Sequence, residues 1–480
     1  MSKETPTTSV PGWSKLPQDI REIILNFLAD EQHGKANFAS VCKEWQEVVE
    51  KKNFHQLKLS QHHLKALATL SPPRRARVRH IWLNIEFQPY NCSNCESSEP
   101  WKYQQQNRFL VQNWIPYLLY ILSKWEPSEH GLKLELGMCT PNMHDHWLKN
   151  WFCGVSGEGE RLPIISRDCA HNWGNIPDMR RLHIMTRAHE LMLFNLPLRI
   201  RPIQAVTELP KLESLHVEPW SFKNYDKLWE GDTYYLHSCW GILQDHPSSL
   251  RSLIIFEEIN EDIVSLKDRI WTQTQSIKRM YAEDPRRLQS VQLAGNSRRL
   301  EQMSVSFVAG AQFFFSACQS NWKWDRLESL ILTSKLFHAT ADPNEISSLL
   351  QRVAQIVPQM PKLQTLVLWN SGRYHASAFT YSKKGLTATI SWCSTWGFEF
   401  DAETMQAWEQ VVGEGNLWIE SARLESGKVL SHGHAIRLLE LPSQVIDPVS
   451  RWQIEKEYEV NRITQDPAIH RTPMIAGRLN

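Results

Sequence analysis

Near its beginning the chain reads Trp13-Ser14-Lys15-Leu16-Pro17-Gln18-Asp19-Ile20, followed by Ile23-Ile24-Leu25-Asn26-Phe27-Leu28. After a polar break it continues with Val41-Cys42-Lys43-Glu44-Trp45 and then with Phe54-His55-Gln56-Leu57-Lys58-Leu59. Pro17 fixes φ and lacks an N–H, which suits the first turn of a helix. The helix predicted after it carries one apolar face at i, i+3, i+4, i+7 and i+8 spacing, formed by Ile20, Ile23, Ile24, Phe27 and Leu28.

Two further short helices are predicted before residue 59. Gly34 ends the first helix in a polar loop, a second helix then presents Phe38 and Ala39, and a third presents Val48 and Val49. A unit of roughly 45 residues is too small to build a self-sufficient core. Its surplus of apolar side chains therefore predicts a partner on one side and the rest of this chain on the other.

In order and spacing these elements resemble the F-box, a three-helix docking motif of ubiquitin ligases. One departure is the long polar loop at 29–35, which leaves the start of the second helix open. The resemblance implies that residues 13–60 bind the small adaptor of a Skp–cullin–F-box ligase, and the cullin only indirectly. The motif positions that imply adaptor binding are Leu16, Pro17, Ile20, Ile24, Leu28, Val41, Cys42 and Trp45. The sequence does not divide them between the adaptor groove and the core of the unit, and a plain helical subdomain is the alternative interpretation.

Composition excludes several classes of function. The 53 Lys and Arg balance 52 Asp and Glu, so no general basic field favours nucleic acid. Residues 1–12 are polar, which predicts a disordered tail and not a signal peptide. The longest apolar runs fall short of the ~18–20 residues that span a bilayer, so no membrane contact is expected. The 9 scattered cysteines indicate free thiols in a reducing compartment, the cytoplasm and/or nucleus.

A phrase of the form L-x-x-L-x-L recurs after residue 60. Its period-2 alternation predicts half-buried strands at 78–83, 182–184, 212–217, 250–255, 300–305, 327–332 and 363–368. Asp342, Pro343 and Glu345 give a strong start signal for a helix over 343–357. Strand, helix and strand thus form a β–α unit, and stacked units bury what each cannot bury alone.

The periods are uneven, and a phrase at 288–293 is compatible with a further strand or with the end of a helix. The predicted fold is mixed, α+β or α/β: the three-helix F-box, then an irregular leucine-rich-repeat-like β–α solenoid. A generic α/β domain with a partly parallel sheet is the alternative. In both cases the strands are expected to be parallel and the helices to be crossovers.

The whole arrangement resembles the F-box proteins of filamentous fungi that carry a divergent repeat domain. The predicted domains are a tail at 1–12, the F-box at 13–60, a degenerate repeat domain for substrate recognition at 61–400, and capping helices with a tail at 401–480. The capping helices are predicted at 402–412 and 452–463.

Other chemistry-bearing motifs are weak. Cys92 and Cys95 have zinc-ligand spacing without a second pair, and a loop at 139–171 gathers Cys and His residues, which leaves a zinc or enzymatic site there as an alternative. A basic run over 74–79 is compatible with a nuclear-localisation or phosphate patch, although such a run is more often the solvated face of a linker that enters a strand. A Gly-rich stretch at 154–159 lacks the Lys-Ser/Thr ending of a phosphate-binding loop. No catalytic residue, cofactor or metal site is therefore predicted.

The sequence thus favours a non-catalytic substrate-recognition subunit of the ligase. Its partners would be the adaptor, the cullin indirectly and an unidentified protein substrate. An adaptor-bound scaffold that acts outside the ligase is the main alternative, because it would carry the same motif.

Overall fold

The computed structural model describes residues 12–30, 35–86, 101–126, 128, 130–139, 179–185, 209–218, 220–221, 247–259, 285–448, 450–452 and 454–455. The α-helices of this part are α1 (Gln18–Asp30), α2 (Lys35–Ala39), α3 (Lys43–His55), α4 (Leu64–Ala68), α5 (Pro72–Arg75), α6 (Trp101–Leu122), α7 (Pro285–Asn296), α8 (Ala311–Ala317), α9 (Pro343–Ile356), α10 (Ala402–Val412) and α11 (His432–Leu438). Short 3-10 helices lie at Trp13–Lys15, Gln61–His63, Ser297–Arg299, Val357–Gln359 and Ser426–Lys428.

The strands of the described part of the chain are numbered in chain order. They are β1 (Gln56–Leu59), β2 (His80–Glu86), β3 (Leu132–Cys139), β4 (Met179–Met185), β5 (Ser214–Glu218), β6 (Trp220–Ser221), β7 (Ser252–Phe256), β8 (Glu258–Ile259), β9 (Gln302–Gly310), β10 (Ser329–Thr333), β11 (Thr365–Gly372), β12 (His375–Lys384), β13 (Thr387–Ser394) and β14 (Leu417–Arg423).

Twelve strands of the described residues form one sheet, in the order β1-β2-β3-β4-β5-β7-β9-β10-β11-β12-β13-β14. Every neighbouring pair from β1 to β11 in this order is parallel. The pairs β11–β12 and β12–β13 are antiparallel, and β13–β14 is parallel again. The short strands β6 and β8 form a separate parallel pair.

The first core lies between the sheet and its helices, and we call it the helix-side core. Strand residues such as Leu83, Leu134 and Leu330 pack there with Leu119 of α6 and Leu350 of α9. The start of α9 is as the sequence predicts, since the Asp342 carboxylate accepts a 2.9 Å hydrogen bond from the Asn344 N–H. This core extends along the sheet from β2 to β13.

Within the described residues, a second core lies on the opposite face of the C-terminal half of the sheet. Residues 424–455, here called the C-terminal cover, fold over that face. The buried apolar side chains of the second core are Phe256, Phe307, Ile331, Val367, Trp369, Ala376, Ala378, Val429, Ala435, Ile436, Leu439, Leu441, Val445, Ile446 and Ile454. The Tyr374 N–H donates to the Val429 carbonyl at 2.7 Å, and the Asp447 N–H donates to the buried Glu218 carboxylate at 2.8 Å. The C-terminal cover is thus tied to the sheet from β5 to the β11–β12 turn.

Several expectations from the sequence need correction. The strands are not all parallel, because β12 turns back on β11 through residues 372–375 as a hairpin. The phrase at 288–293 lies inside α7 and is not a strand. The segment 401–480, expected to hold capping helices and a tail, also contributes β14 to the sheet and supplies the second core. Of the two helices expected there, α10 has the predicted bounds, while 456–463 lies outside the described residues.

Candidate functional site

The N-terminal helical unit has a very small core of its own. Leu25 and Ala29 of α1 and Val49 of α3 are at most 1% exposed, and they are the fully buried apolar residues in the described part of this unit. Two faces of α1 must therefore be distinguished. The inward face is marked by Leu25 and Ala29, whereas the five residues of the predicted apolar face are half-buried or exposed.

The outward face of α1 carries large apolar side chains. Ile20, Ile23 and Phe27 are 40%, 63% and 71% exposed. They fall within about 60° of one another around a helix with 3.6 residues per turn. Val41, in the turn before α3, is also 48% exposed. We call Ile20, Ile23, Phe27 and Val41 the exposed apolar strip, and water is a poor environment for all four.

Hydrogen bonds to Glu44 of α3 hold the start of the helical unit against that helix. Glu44 accepts a hydrogen bond from the Trp13 indole N–H at 3.0 Å, and one Nη atom of Arg21 lies 2.7 and 2.8 Å from its two carboxylate oxygens. The Arg21 and Glu44 side chains are only 24% and 36% exposed. Charge-assisted bonds of this kind are stronger than neutral ones. They fix the residues before α1 relative to α3.

Aromatic packing completes the unit. The Trp45 ring lies 5.1 Å from the Trp13 ring and 6.3 Å from the Phe38 ring, between centroids. Both pairs are tilted, a favourable geometry for aromatic side chains. Trp45 is half-buried, so it contributes to the unit's own packing while part of its surface stays exposed.

The structure separates the residues of the sequence motif by exposure. Pro17 and Cys42 are exposed at the starts of α1 and α3, where the Pro17 and Cys42 carbonyls accept from Arg21 N–H and Gln46 N–H at 3.1 and 2.9 Å. Ile20 and Val41 belong to the exposed apolar strip. The half-buried members are Leu16, Ile24, Leu28 and Trp45.

Sequence reasoning left Ile23 and Phe27 out of the candidate site, although they are the most exposed apolar residues of α1. A signal for them was present. Six positions between Ile20 and Leu28 are Ile, Leu or Phe, which is more than one buried stripe of a helix requires. A helix with a second apolar face has that face available for a partner.

The unit joins the sheet without a linker. α3 ends at His55 and β1 begins at Gln56, which pairs with His80 of β2. Phe54, Leu57 and Leu59 pack against the helix-side core. The orientation of the helical unit relative to the sheet is therefore fixed by packing and by strand pairing.

The basic run at 74–79 strengthens this junction. Glu50 of α3 accepts hydrogen bonds from Arg74 at 2.8 Å and Arg77 at 2.7 Å. The bond from Arg74, followed by the one from Gln46, holds the pKa of Glu50 below its ordinary value. Arg75 donates to backbone carbonyls of its own segment, at 2.6 and 3.1 Å. Arg74, Arg75 and Arg77 thus make contacts within the chain. These contacts give the basic run a structural role, which is the alternative to a role in binding phosphate or nucleic acid.

Most of the remaining candidates from the sequence cannot be located on the described part of the chain. Cys92, Cys95, the Gly-rich stretch and nearly all of the 139–171 loop lie outside the described residues. His432 and His434 are buried, with ring nitrogens 2.7 Å from the Ser371 hydroxyl and 2.8 Å from the Ser431 hydroxyl. Across the part of the chain that the structure describes, no cluster of three or more His, Cys, Asp or Glu residues has the geometry of a metal site.

Two separate parts of the chain match known families. Residues 13–57 match the F-box domain, and α1, α2 and α3 all lie within this match. Residues 245–447 match a family of unknown function (DUF6546), which spans the sheet from β7 to β14 and most of the C-terminal cover. No curated protein matches the chain at a significant level. Within the described ranges, no helix has the length and apolar character needed to cross a bilayer.

Proposed function

We propose that this protein is a substrate-recognition subunit of a Skp–cullin–F-box ubiquitin ligase. It would bind the adaptor through α1, α2 and α3 and a target protein through the sheet domain. The observation that carries the proposal is the exposed apolar strip on a unit that matches the F-box. F-box domains bind Skp-type adaptors, and burial of each large apolar side chain stabilises a complex by roughly 1.5–3 kcal/mol.

The exposed fractions of the motif side chains support different roles for different residues. We assign Ile20, Ile23, Phe27 and Val41 to the adaptor groove, together with Leu16 and Pro17 at the start of α1. Half-buried Ile24, Leu28 and Trp45 would contact both the adaptor and the core of the F-box. Cys42 would act mainly through its backbone, because its carbonyl begins α3.

The mechanism would be proximity. A target held by the sheet domain reacts with a ubiquitin-charged enzyme that the complex supplies, and its effective concentration rises without chemistry by this chain. The direct passage from α3 to β1 and the Glu50 contacts support a fixed distance between adaptor and target. No catalytic residue is part of the proposal.

The target-binding domain is the less defined half of the proposal. We propose a divergent leucine-rich-repeat arrangement for residues 61–400, supported by the parallel strands from β1 to β11 that follow one another in chain order. We also propose that the F-box spans 13–60 and that a separate C-terminal segment spans 401–480. The chain would be related to the filamentous-fungal F-box proteins and would reside in the cytoplasm and/or nucleus.

The direct test is reconstitution of the full chain with a purified Skp-type adaptor and then with cullin. The double variant Ile23→Ala/Phe27→Ala removes the two most exposed side chains of the strip. We expect it to lose roughly 100-fold in adaptor affinity, measured by titration calorimetry, and to keep its melting temperature. Leu16→Ala/Pro17→Ala should weaken adaptor binding as well.

The matched control is Leu288→Ala/Val291→Ala on α7, where two apolar residues are similarly exposed, at 49% and 42%. It should bind the adaptor like the wild type. Recovery of adaptor without cullin would favour a scaffold that acts outside the ligase. If the wild type binds no adaptor, or if both double variants behave alike, the assignment of the strip is wrong.

A further inference from the structure

The sheet ends in two very different edges. β1 at one end has 4 residues and is joined directly to the F-box. β14 at the other end has 7 residues, pairs only with β13 in the described part of the chain, and is exposed along nearly its whole length. Natural sheets usually shorten, charge or cover an edge strand, because its free N–H and C=O groups can pair with another chain.

The alternation of the backbone identifies the groups that face outward. The Asn416 carbonyl accepts from Ala388 N–H at 3.0 Å, and the Leu424 N–H donates to the Ser394 carbonyl at 2.8 Å. Even-numbered residues between them therefore direct their backbone toward β13. Leu417, Ile419, Ser421 and Arg423 direct theirs away from the sheet. An incoming strand would find a regular ladder of four positions.

The side chains of β14 offer contacts on both faces of that ladder. Trp418 is 65% exposed and Ile419 is 40% exposed, and consecutive residues of a strand lie on opposite faces. Trp418 pairs in register with Thr389, whereas Ile419 pairs with Ile390, which belongs to the helix-side core. A strand added beside β14 would cover apolar surface on each face.

The charge around β14 indicates which kind of segment could pair with this edge strand. The segment 413–425 carries exposed Glu414, Glu420 and Glu425 against one base, Arg423, which leaves an excess of two negative charges. The nearby Lys428 is already bonded to Glu425 at 2.9 Å. A second copy of the chain would bring two acidic edges together, which is unfavourable. A basic segment would neutralise the edge.

We propose that β14 is a docking strand for an extended segment of a partner protein in which basic and apolar residues alternate. The segment would add to the sheet by backbone pairing, with its apolar side chains beside Ile419 and its basic side chains on the opposite face, near Trp418 and Glu420. This interaction surface is separate from the exposed apolar strip, and it does not require the adaptor contact.

The test uses two synthetic seven-residue peptides and the full chain. One peptide alternates Lys or Arg with Val or Ile, and the other replaces each base by Glu. Fluorescence anisotropy should show binding of the basic peptide at least about tenfold tighter than that of the acidic one, with a loss of affinity at high salt. Equal binding of both peptides, or binding of neither, overturns the proposal.

Two variants locate the binding. Ser421→Pro removes an outward N–H without touching the β13 ladder and should weaken the basic peptide at least about tenfold. Glu420→Lys makes the segment 413–425 neutral and should abolish the preference for the basic peptide. This variant provides the test if the proline variant does not fold. The control Leu386→Ala removes an 85% exposed apolar residue at the β12–β13 turn and should change nothing.

Two further outcomes would contradict the proposal. Sedimentation velocity measures self-association. A dimer of the wild type that is lost in Ser421→Pro would assign the edge to a second copy of the chain. Peptide binding that appears only after deletion of 456–480 would assign it to the chain's own C-terminal segment.

Discussion

β2 and β11 each contain the apolar phrase that predicts a strand, but they differ in the burial of the face opposite the helix-side core. In β2 the residues Ile81, Leu83 and Ile85 are buried, whereas the intervening His80 and Trp82 are only half-buried. In β11 the leucines Leu366 and Leu368 are buried, and the intervening Val367 and Trp369 are buried as well. In both strands the leucines pack in the helix-side core. The alternate residues lie on the other face of the sheet, and their burial shows whether that face is covered.

The difference extends across the sheet. On β3, Lys133 and Glu135 form an ion pair at 2.5 Å, and His80 lies 3.0 Å from Glu135 on the same face. On β10 the corresponding face carries Ile331, which is packed in the second core. The strands next to the F-box thus carry polar side chains on this face, whereas β10 and β11 of the DUF6546 region are buried on both faces. We infer that the two halves contribute differently to stability.

The largest expected effect concerns a tryptophan on each half. Trp369 is fully buried, with its ring 6.5 Å from Phe256 and 5.1 Å from Phe307. Trp369→Ala should lower the free energy of unfolding by about 3–5 kcal/mol, because it leaves a cavity in the second core. Trp82 is half-buried and lies under the Lys58 ammonium at 5.3 Å.

Trp82→Ala is the matched variant, and it should cost less than about 2 kcal/mol because its site can be filled by water. Urea unfolding of the two variants measures the comparison directly. Equal losses of stability would mean that the second core adds nothing to the covered half.

Much of the helix-side core could be predicted from the sequence. The leucine phrases fall on β2, β4, β5, β7, β9, β10 and β11, and the Asp342 cap marks the start of α9. These features are local, because the strand period and the capping chemistry are written in consecutive residues. The β12–β13 hairpin was missed because its strands lack the leucine phrase and use Ala376 and Ala378 on the second core.

The second core and the exposed apolar strip were harder to predict for different reasons. The C-terminal cover meets the sheet through contacts between residues far apart in sequence, such as Asp447 and Glu218, and no local pattern encodes them. A run of apolar residues in β10 or β11 was a usable signal for burial on both faces. For α1, the resemblance to the F-box identified the helix, but only the packing of Leu25 and Ala29 distinguishes its inward face from its outward one.

A second expected effect is a pH dependence of the covered half. Burial lowers the pKa of His375, at the start of β12, to about 4, and the charges of His338 and His432 act in the same direction. The unfolded chain binds this proton near the usual pKa of about 6.5. Between these values the unfolded state holds more protons, so stability is complete above pH 6.5 and declines as the pH falls toward 4.

The decline attributable to His375 should reach at most about 3 kcal/mol. His375→Gln should therefore flatten the dependence of the unfolding free energy between pH 7 and pH 4.5, as measured by urea titration at several pH values. A variant whose pH dependence matches the wild type would show that the buried imidazole is not the group responsible.

The smallest expected effect compares a carboxylate on each half. Glu218 is fully buried, accepts from the Asp447 N–H at 2.8 Å and lies 2.8 Å from the His216 ring. Glu218→Ala removes the acceptor that holds the end of the C-terminal cover, and it should cost about 1–3 kcal/mol. Hydrogen exchange should rise locally around residue 447.

Glu135→Ala is the control on the open half, where the carboxylate is 18% exposed and its two partners can be hydrated after its removal. We expect a loss of about 1 kcal/mol or less and no change of exchange near residue 447. If Glu218→Ala leaves that exchange unchanged, the attachment of the C-terminal cover rests on the apolar contacts of the second core. The boundary between the covered and open halves would then be set by Phe256 and Val445, and not by the Glu218 hydrogen bond.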